Sequence, residues 1–229
     1  MASANGTLFI VGTPIGNMED MTHRAVRVLR EADLIAAEDT RHTGLLLARH
    51  GLKKPLISYH EFNEAMRTSE LLRELQRGRR IALVSDAGMP TLSDPGQRLI
   101  RAVIDARIPV EVVPGVSAIT AALTGSGYDL ERGFLFYGFL PHKSGQRRNV
   151  LACLAPLPYT IVFFESPYRL LKTLQDMREL LGNRNVAIAR ELTKKFEEFL
   201  RGNIESVLKK LENHTIKGEI TMVVEGRQE

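Results

Sequence analysis

The sequence has 229 residues, a net charge of +4, 44% hydrophobic and 25% charged residues, a make-up that fits an ordinary globular protein and excludes a disordered or fibrous chain. No apolar run reaches the ~18–20 residues of a membrane span, and Met1-Ala2-Ser3-Ala4-Asn5-Gly6 lacks the basic and apolar regions of a signal peptide, so it reads as a loose leader on a protein that stays in the cytoplasm. The single cysteine, Cys153, excludes an internal disulfide and a cysteine-based zinc site, and its neighbours Leu151, Ala152 and Leu154 predict a buried thiol.

Thr7 to Val11 reads as a first strand, with Gly12 to Asn17 as its exit loop. Met21 to Ala32 sets Ala25, Val28, Leu29 and Ala32 at helical spacing, and Asp33 to Ala37 is a second strand that ends at Glu38-Asp39-Thr40-Arg41-His42. A short helix over Thr43 to His50 stops at Gly51. Leu56 to Tyr59 is a third strand, followed by a helix from about Asn63 to Arg77 with Met66, Leu71, Leu72 and Leu75 on its core side. Ile81 to Val84 then opens into Ser85 to Gly96, a loop dense in Gly, Pro, Ser and Asp, and a helix follows to Ala106. Val110 to Val113 is a last strand, broken by Pro114-Gly115. Strands alternating with helices predict a largely parallel sheet covered on both faces.

Beyond Pro114 the pattern changes. A helix of small residues (Ser117 to Ser126) leads to a strand at Phe134 to Phe139, a polar basic loop at His142 to Arg148 and a helix from Val150. Thr160 to Phe164 is a strand ending in Glu165-Ser166-Pro167-Tyr168-Arg169; Leu170 to Leu181 is a helix, and Val186 to Arg190 another strand. Phe196 to Gly202 reads as a hairpin partner, Ile204 to Leu211 as a helix and Ile220 to Val224 as a closing strand. Strands joined without helices predict a mixed sheet here. The expected organisation is therefore two α/β domains, 1–114 and 115–229.

Ligands bind at the carboxyl ends of strands in open α/β sheets. The loops at 12–17, 85–96 and 114–118 fall at such ends and carry the glycines that let backbone approach a ligand closely. The first is Gly-x-Pro-x-Gly rather than Gly-x-Gly-x-x-Gly, and no Gly-Lys-Ser/Thr occurs, which argues against nicotinamide and P-loop chemistry. Asp39-Thr40-Arg41-His42 fits either a helix cap or a reactive cluster. Lys143, Arg147 and Arg148, with Tyr168, Arg169 and Lys195 at the charged strand exits, suggest a basic rim for a phosphate backbone, with Tyr168 available to stack on a base. The six histidines show no metal-site spacing, so no bound metal is expected.

Seven ordered segments then match one family: Thr-Leu-Phe-Ile-Val-Gly-Thr-Pro-Ile-Gly-Asn (7–17), Ala-Glu-Asp-Thr-Arg (37–41), Val-Ser-Asp-Ala-Gly-Met-Pro-Thr-Leu-Ser-Asp-Pro-Gly (84–96), Val-Pro-Gly-Val-Ser-Ala (113–118), Phe-Tyr-Gly-Phe-Leu-Pro (136–141), Phe-Glu-Ser-Pro-Tyr-Arg (164–169) and Ala-Arg-Glu-Leu-Thr-Lys (189–194). The chain resembles the ribosomal RNA small subunit methyltransferase I family, within the tetrapyrrole methylase superfamily. The resemblance implies two α/β domains with S-adenosylmethionine in the cleft between them, a homodimer, and a substrate that is the 2′-hydroxyl of a cytidine in the 16S rRNA of the small ribosomal subunit. It assigns Pro14, Asp86, Gly88, Met89, Leu92, Ser117 and Ala118 to the donor, and Phe164, Glu165, Arg190 and Leu192 to the surroundings of its adenine. Relatives often carry a further helical segment after the second domain, whereas this sequence ends at Glu229. For the transfer itself, Asp39 is the expected base, with Glu191 the alternative, and Arg41 and Lys194 hold the neighbouring phosphate. Competing readings are methylation of a tetrapyrrole precursor and a non-catalytic nucleotide sensor.

Overall fold

The computed structural model describes residues 6–212 and 214–227, and the chain divides into two units, Met1–Ser117 and Ala118–Glu229. In the first unit, β1 (Thr7–Val11), β2 (Leu34–Ala37), β3 (Leu56–Ser58), β4 (Arg80–Val84) and β5 (Val110–Val113) form one parallel sheet in the order β3-β2-β4-β1-β5. The strands are apolar nearly throughout because helices cover both faces, and the pleat sends alternate residues to each. Phe9, Val11, Ile35, Ala37, Ala82 and Val84 pack with α1 (His23–Glu31) and α2 (Thr40–Arg49). Leu8, Ala36, Ile81 and Leu83 pack on the other face with α3 (Glu64–Gln76) and α4 (Gln97–Asp105). The exits of β1 and β2 therefore leave for one face and those of β3 and β4 for the other. Neighbouring strands β2/β4 and β4/β1 thus lead to helices on opposite faces, the kind of position at whose carboxyl ends such sheets bind ligands.

Three local details differ from expectation. The second helix begins at Thr40 rather than Thr43, because the Asp39 carboxylate accepts the Arg41 backbone N–H at 2.8 Å and caps it. Met66 is 63% exposed and is not a core residue. The expected leader lies outside the described residues up to Asn5, but Gly6 is buried and donates its N–H to the Leu75 carbonyl at 2.8 Å.

The second unit contains α5 (Ala118–Ser126), β6 (Phe134–Phe139), α6 (Ser144–Leu154), β7 (Thr160–Glu165), α7 (Leu170–Leu181), β8 (Asn185–Arg190), β9 (Glu198–Asn203), α8 (Ile204–Leu211) and β10 (Ile220–Val224). Its sheet runs β6-β7-β10-β8-β9; β6 and β7 are parallel and the other pairs antiparallel, so it is mixed. Ile161, Phe163, Ile188 and Met222 meet Leu151, Leu174, Met177 and Val207 of α6, α7 and α8 in one core, and α5 lies against β8, β9 and β10.

The segment expected as a basic loop is mostly helix, since α6 starts at Ser144. Arg147, Leu151 and Leu154 fall at i, i+4 and i+7 and form its inner face. Arg147 is accordingly 5% exposed, and donates to Asp176 Oδ2 from Nε at 2.7 Å and from a terminal nitrogen at 2.6 Å. Arg148 takes the other Asp176 oxygen at 2.8 Å and Glu179 at 2.7 Å. Arg147 is thus a structural strut and is withdrawn from the phosphate-binding set; Arg148 is largely committed as well. Cys153 sits one step off the inner face and is exposed, contrary to the buried thiol expected from its neighbours.

The strut gives a clear stability expectation. Asp176→Ala leaves a buried guanidinium without its anion and lowers the unfolding free energy in urea by about 3 kcal/mol or more. Arg147→Met with Asp176→Leu recovers most of that loss, because the paired apolar replacement carries no orphaned charge.

Candidate active site

At the carboxyl ends of β1, β4 and β5 three loops of the first unit meet backbone to backbone. A Cβ placed on Gly12 would lie 2.8 Å from the Cα and N of Gly115 and 2.7 Å from Met89 Sδ; one on Gly115 would lie 2.9 Å from the Gly12 Cα. Only glycine permits this approach. Beside it Thr13 and Gly88 exchange backbone hydrogen bonds of 2.9 and 3.1 Å, and the Thr13 hydroxyl donates to the Ser85 carbonyl at 3.2 Å. The 85–96 loop is closed by the Gly96 N–H, which donates to Glu64 Oε1 at 2.9 Å. Pro14 and Gly88 are buried in this junction, Asp86 and Met89 half-buried, and Leu92 stands exposed on the loop. Ser117, half-buried, follows the third loop, and Ala118 opens α5.

Five non-glycine residues described in the structure have left-handed backbone: Thr91, Ser93, Arg107, Glu191 and Thr193. Four of them lie on the 85–96 and 191–195 loops. Backbone strain concentrated on two strand exits is a mark of functional loops.

The β2 and β4 exits bring carboxylates together. The Asp39 N–H donates to Asp86 Oδ1 at 3.1 Å, and the Asp86 N–H to Glu38 Oε2 at 3.4 Å. Asp39 accepts from Arg41 Nε at 3.1 Å and from a terminal nitrogen at 2.6 Å, so the Arg41 guanidinium and backbone N–H hold its carboxyl far below the usual carboxylate range. Burial pushes Glu38 up. Burial, reinforced by the Glu38 charge, pushes Asp94 up to about 6. Asp94 was not singled out by sequence; its only signal was its place in the Gly- and Pro-rich loop.

Because the folded state keeps a proton on Asp94 that the unfolded chain releases above ~3.9, its ionisation costs stability as pH rises through about 6. Asp94→Asn is therefore more stable than the parent at pH ~8, by about 1 kcal/mol after allowance for partial exposure, and no more stable at pH ~4. Thermal melts at the two pH values measure the difference.

In the second unit the expected adenine residues divide. The Phe164 ring is half-exposed and stands 5.0 Å from Phe136 and 5.5 Å from Phe139 between ring centroids. Glu165 turns inward: its side chain is fully buried, accepting the Ser166 N–H at 2.7 Å and the Thr173 hydroxyl at 2.6 Å. It anchors the start of α7, and its carboxylate is withdrawn from the ligand set. Arg190 donates to Glu198 at 3.0 Å and to the Lys217 carbonyl at 3.3 Å, and Leu192 is buried.

Glu191 and Lys194 form a clamp. Lys194 Nζ lies 2.9 Å from Glu191 Oε1 and 2.9 Å from Glu219 Oε2, while Glu191 Oε1 also accepts the Glu219 N–H at 2.9 Å. The Glu219 N–H and the Lys194 ammonium hold the Glu191 carboxyl below its ordinary value. Arg169 donates from one terminal nitrogen to the Leu140 and Pro141 carbonyls at 2.8 and 3.2 Å, brings Nε to 3.4 Å from Glu165 Oε1, and is only half-exposed. Lys143, Tyr168 and Lys195 reach solvent, Tyr168 at 93% exposure. Among the described residues no group of three His, Cys, Asp or Glu side chains is arranged to hold a metal, and no helix is long and apolar enough to cross a membrane.

Comparison with known proteins adds a family to this geometry. The family described as Tetrapyrrole (Corrin/Porphyrin) Methylases matches residues 7–208. The chain is 51% identical over 224 residues to the ribosomal RNA small subunit methyltransferase I of Halalkalibacterium halodurans, covering 98% of this chain and 77% of that one. It is 49% identical over 223 residues to the protein of the same name from Thermotoga maritima, covering 97% and 100%. Its fold is similar to that of uroporphyrin-III C-methyltransferase from Thermus thermophilus complexed with S-adenosylhomocysteine, with a TM-score of 0.66, 20% identity and coverage of 95% and 97%. The motifs at the strand ends and these near-full-length identities agree: the chain belongs to the ribosomal RNA small subunit methyltransferase I family of the tetrapyrrole methylases.

Proposed function

We propose that the protein methylates the ribose 2′-hydroxyl of a cytidine in the 16S rRNA of the small ribosomal subunit, using S-adenosylmethionine, and that it does so in the cytoplasm. The observation that carries the reading is the glycine cradle of Gly12 and Gly115, pinned by Thr13 and Gly88. The donor fits this setting: a Cβ would fill the cradle, and the carboxylates of Glu38, Asp39, Asp86 and Asp94 at the neighbouring exits favour a cationic ligand.

Pro14, Gly88, Met89 and Leu92 would hold the methionine end and sugar, with Asp86 beside them and Ser117 and Ala118 flanking. Of the set assigned to the adenine, Phe164 presents the half-exposed ring. S-adenosylmethionine supplies an electrophilic methyl group. The chain's own residues then place the ribose hydroxyl and take its proton. Asp39 is the proton acceptor in this reading, Arg41 and Lys194 meet the adjoining phosphate, and Lys143, Tyr168 and Lys195 contact the RNA beyond it. Glu191, held by Lys194 and the Glu219 N–H, is the alternative acceptor.

A homodimer is part of the proposal, supported by Phe134, Tyr137 and Phe139, which stand exposed along the edge strand β6. Incubation with labelled donor and undermethylated small subunits, followed by mapping of the modified nucleoside, is expected to place the label on a cytidine ribose. Label entering a uroporphyrinogen-type substrate instead would favour the tetrapyrrole reading, and ligand binding without turnover on either would favour a sensor.

A further inference from the structure

The second unit carries a cavity of about 510 Å³ whose lining shares only Arg190, there paired with Glu198, with the residues given roles above. Its floor is apolar: Leu170 at the start of α7 and Ile188 of β8 lie beneath Leu200 of β9 and Ile216 of the segment leading to β10. Its rim is cationic. Lys209 and Lys210, in the last turn of α8, are exposed and have no ion-pair partner among the described residues; His214 adds a further donor. Glu198, the one carboxylate on the rim, is already neutralised by Arg190 at 3.0 Å.

The lysines do offset the negative end of the α8 dipole, but that role needs no cavity. An apolar floor of this volume suits a planar base, and two unpaired ammonium groups at its edge suit a phosphate. We propose that this cavity receives an unpaired nucleotide of the substrate RNA, its base against Leu200 and Ile216 and its phosphate on Lys209 and Lys210. The inference rests on the reading of the substrate as RNA and adds a contact outside the catalytic set.

Fluorescence anisotropy of a labelled single-stranded RNA of ~12 nucleotides, titrated at rising potassium chloride, tests it. Lys209→Gln with Lys210→Gln is expected to weaken binding about tenfold and to lower the steepness of the log–log salt plot by about 1.4, the release expected for two single-strand phosphate contacts. Ile216→Trp, which fills the cavity, weakens binding similarly with the salt plot unchanged; circular dichroism and the heat of S-adenosylhomocysteine binding verify that each variant is folded. Wild-type affinity and salt plot in the lysine variant overturn the proposal, whatever Ile216→Trp does. Binding of cytidine 5′-monophosphate that the lysine variant loses, with RNA affinity untouched in that variant, assigns the cavity to a free nucleotide and also overturns the proposal. Lysine-dependent RNA binding in a protein that fails to methylate small subunits upholds this site and removes the activity reading instead.

Discussion

Gly12→Ala is expected to weaken S-adenosylhomocysteine binding by about ten- to a hundredfold, the affinity equivalent of the ~1–3 kcal/mol that overpacking costs, while leaving the chain folded. The added methyl meets the Gly115 Cα and N at 2.8 Å, and neither is a flexible side chain that can rotate away. Gly12 donates its N–H to the Val113 carbonyl at 3.1 Å, so the clash pushes apart the β1 and β5 exits where they are hydrogen-bonded. The strain is of the order of 1–3 kcal/mol, small beside the stability of a packed unit but enough to move a loop. Shortening the other contact with Met89→Ala removes the sulfur at 2.7 Å and leaves the backbone clash, so the double variant stays defective. Gly145→Ala is the control: it lies on α6 with nothing within 4 Å of the new Cβ and a helical backbone, so it binds as the parent does. Calorimetry that finds Gly12→Ala binding normally would remove the cradle from the donor site.

The parts of this site that were legible in the sequence are those in which local chemistry and global placement agree. Gly12, Gly88 and Gly115 stand at the ends of short apolar runs, and a glycine at a buried strand exit has few uses other than close approach or a left-handed turn; Gly88 has φ +79°. The two-unit α/β plan followed from the same runs and from the loss of alternation after Pro114. What stayed hidden was the direction of charged side chains. Glu165 ends a strand with Ser-Pro-Tyr-Arg behind it and reads as an outward ligand, yet Thr173, one turn into α7, gives it an inward partner that the linear sequence does not announce. Arg147 reads as a surface cation because its anion, Asp176, is 29 residues away. Both are buried groups whose cost is met by specific polar partners, near in sequence for Glu165 and far for Arg147, and periodicity records which face a residue shares without recording which polar partner waits there. The Arg147, Leu151, Leu154 spacing was nevertheless present, and the same spacing would have left Cys153 outside.

Asp39→Asn is expected to lower kcat by about 10²–10⁴, the span of general acid–base effects, with S-adenosylhomocysteine affinity unchanged. Asparagine caps a helix as well as aspartate does, so α2 keeps its start and the variant isolates the charge. The objection to Asp39 is that Arg41 makes it a poor base in the ground state. The proton, however, need not leave first: a ribose hydroxyl becomes strongly acidic as its oxygen gains the methyl carbon, and a carboxylate of low proton affinity can accept it at that late point. The sign of the pH dependence then separates the candidates. With Asp39 as acceptor, the carboxylate is ionised throughout and kcat is level between pH ~8 and ~5, since its protonation lies far below that window. With Asp94, pushed up to about 6, kcat falls about tenfold per pH unit below that value. Arg41→Ala sharpens the contrast. Releasing the carboxyl returns Asp39 toward ~3.9, which still leaves it ionised at pH ~5, while loss of the guanidinium raises KM for the RNA if Arg41 holds the phosphate. A kcat that follows a single ionisation near 6 in the parent, and an Asp39→Asn enzyme of undiminished rate, would together transfer the role to Asp94.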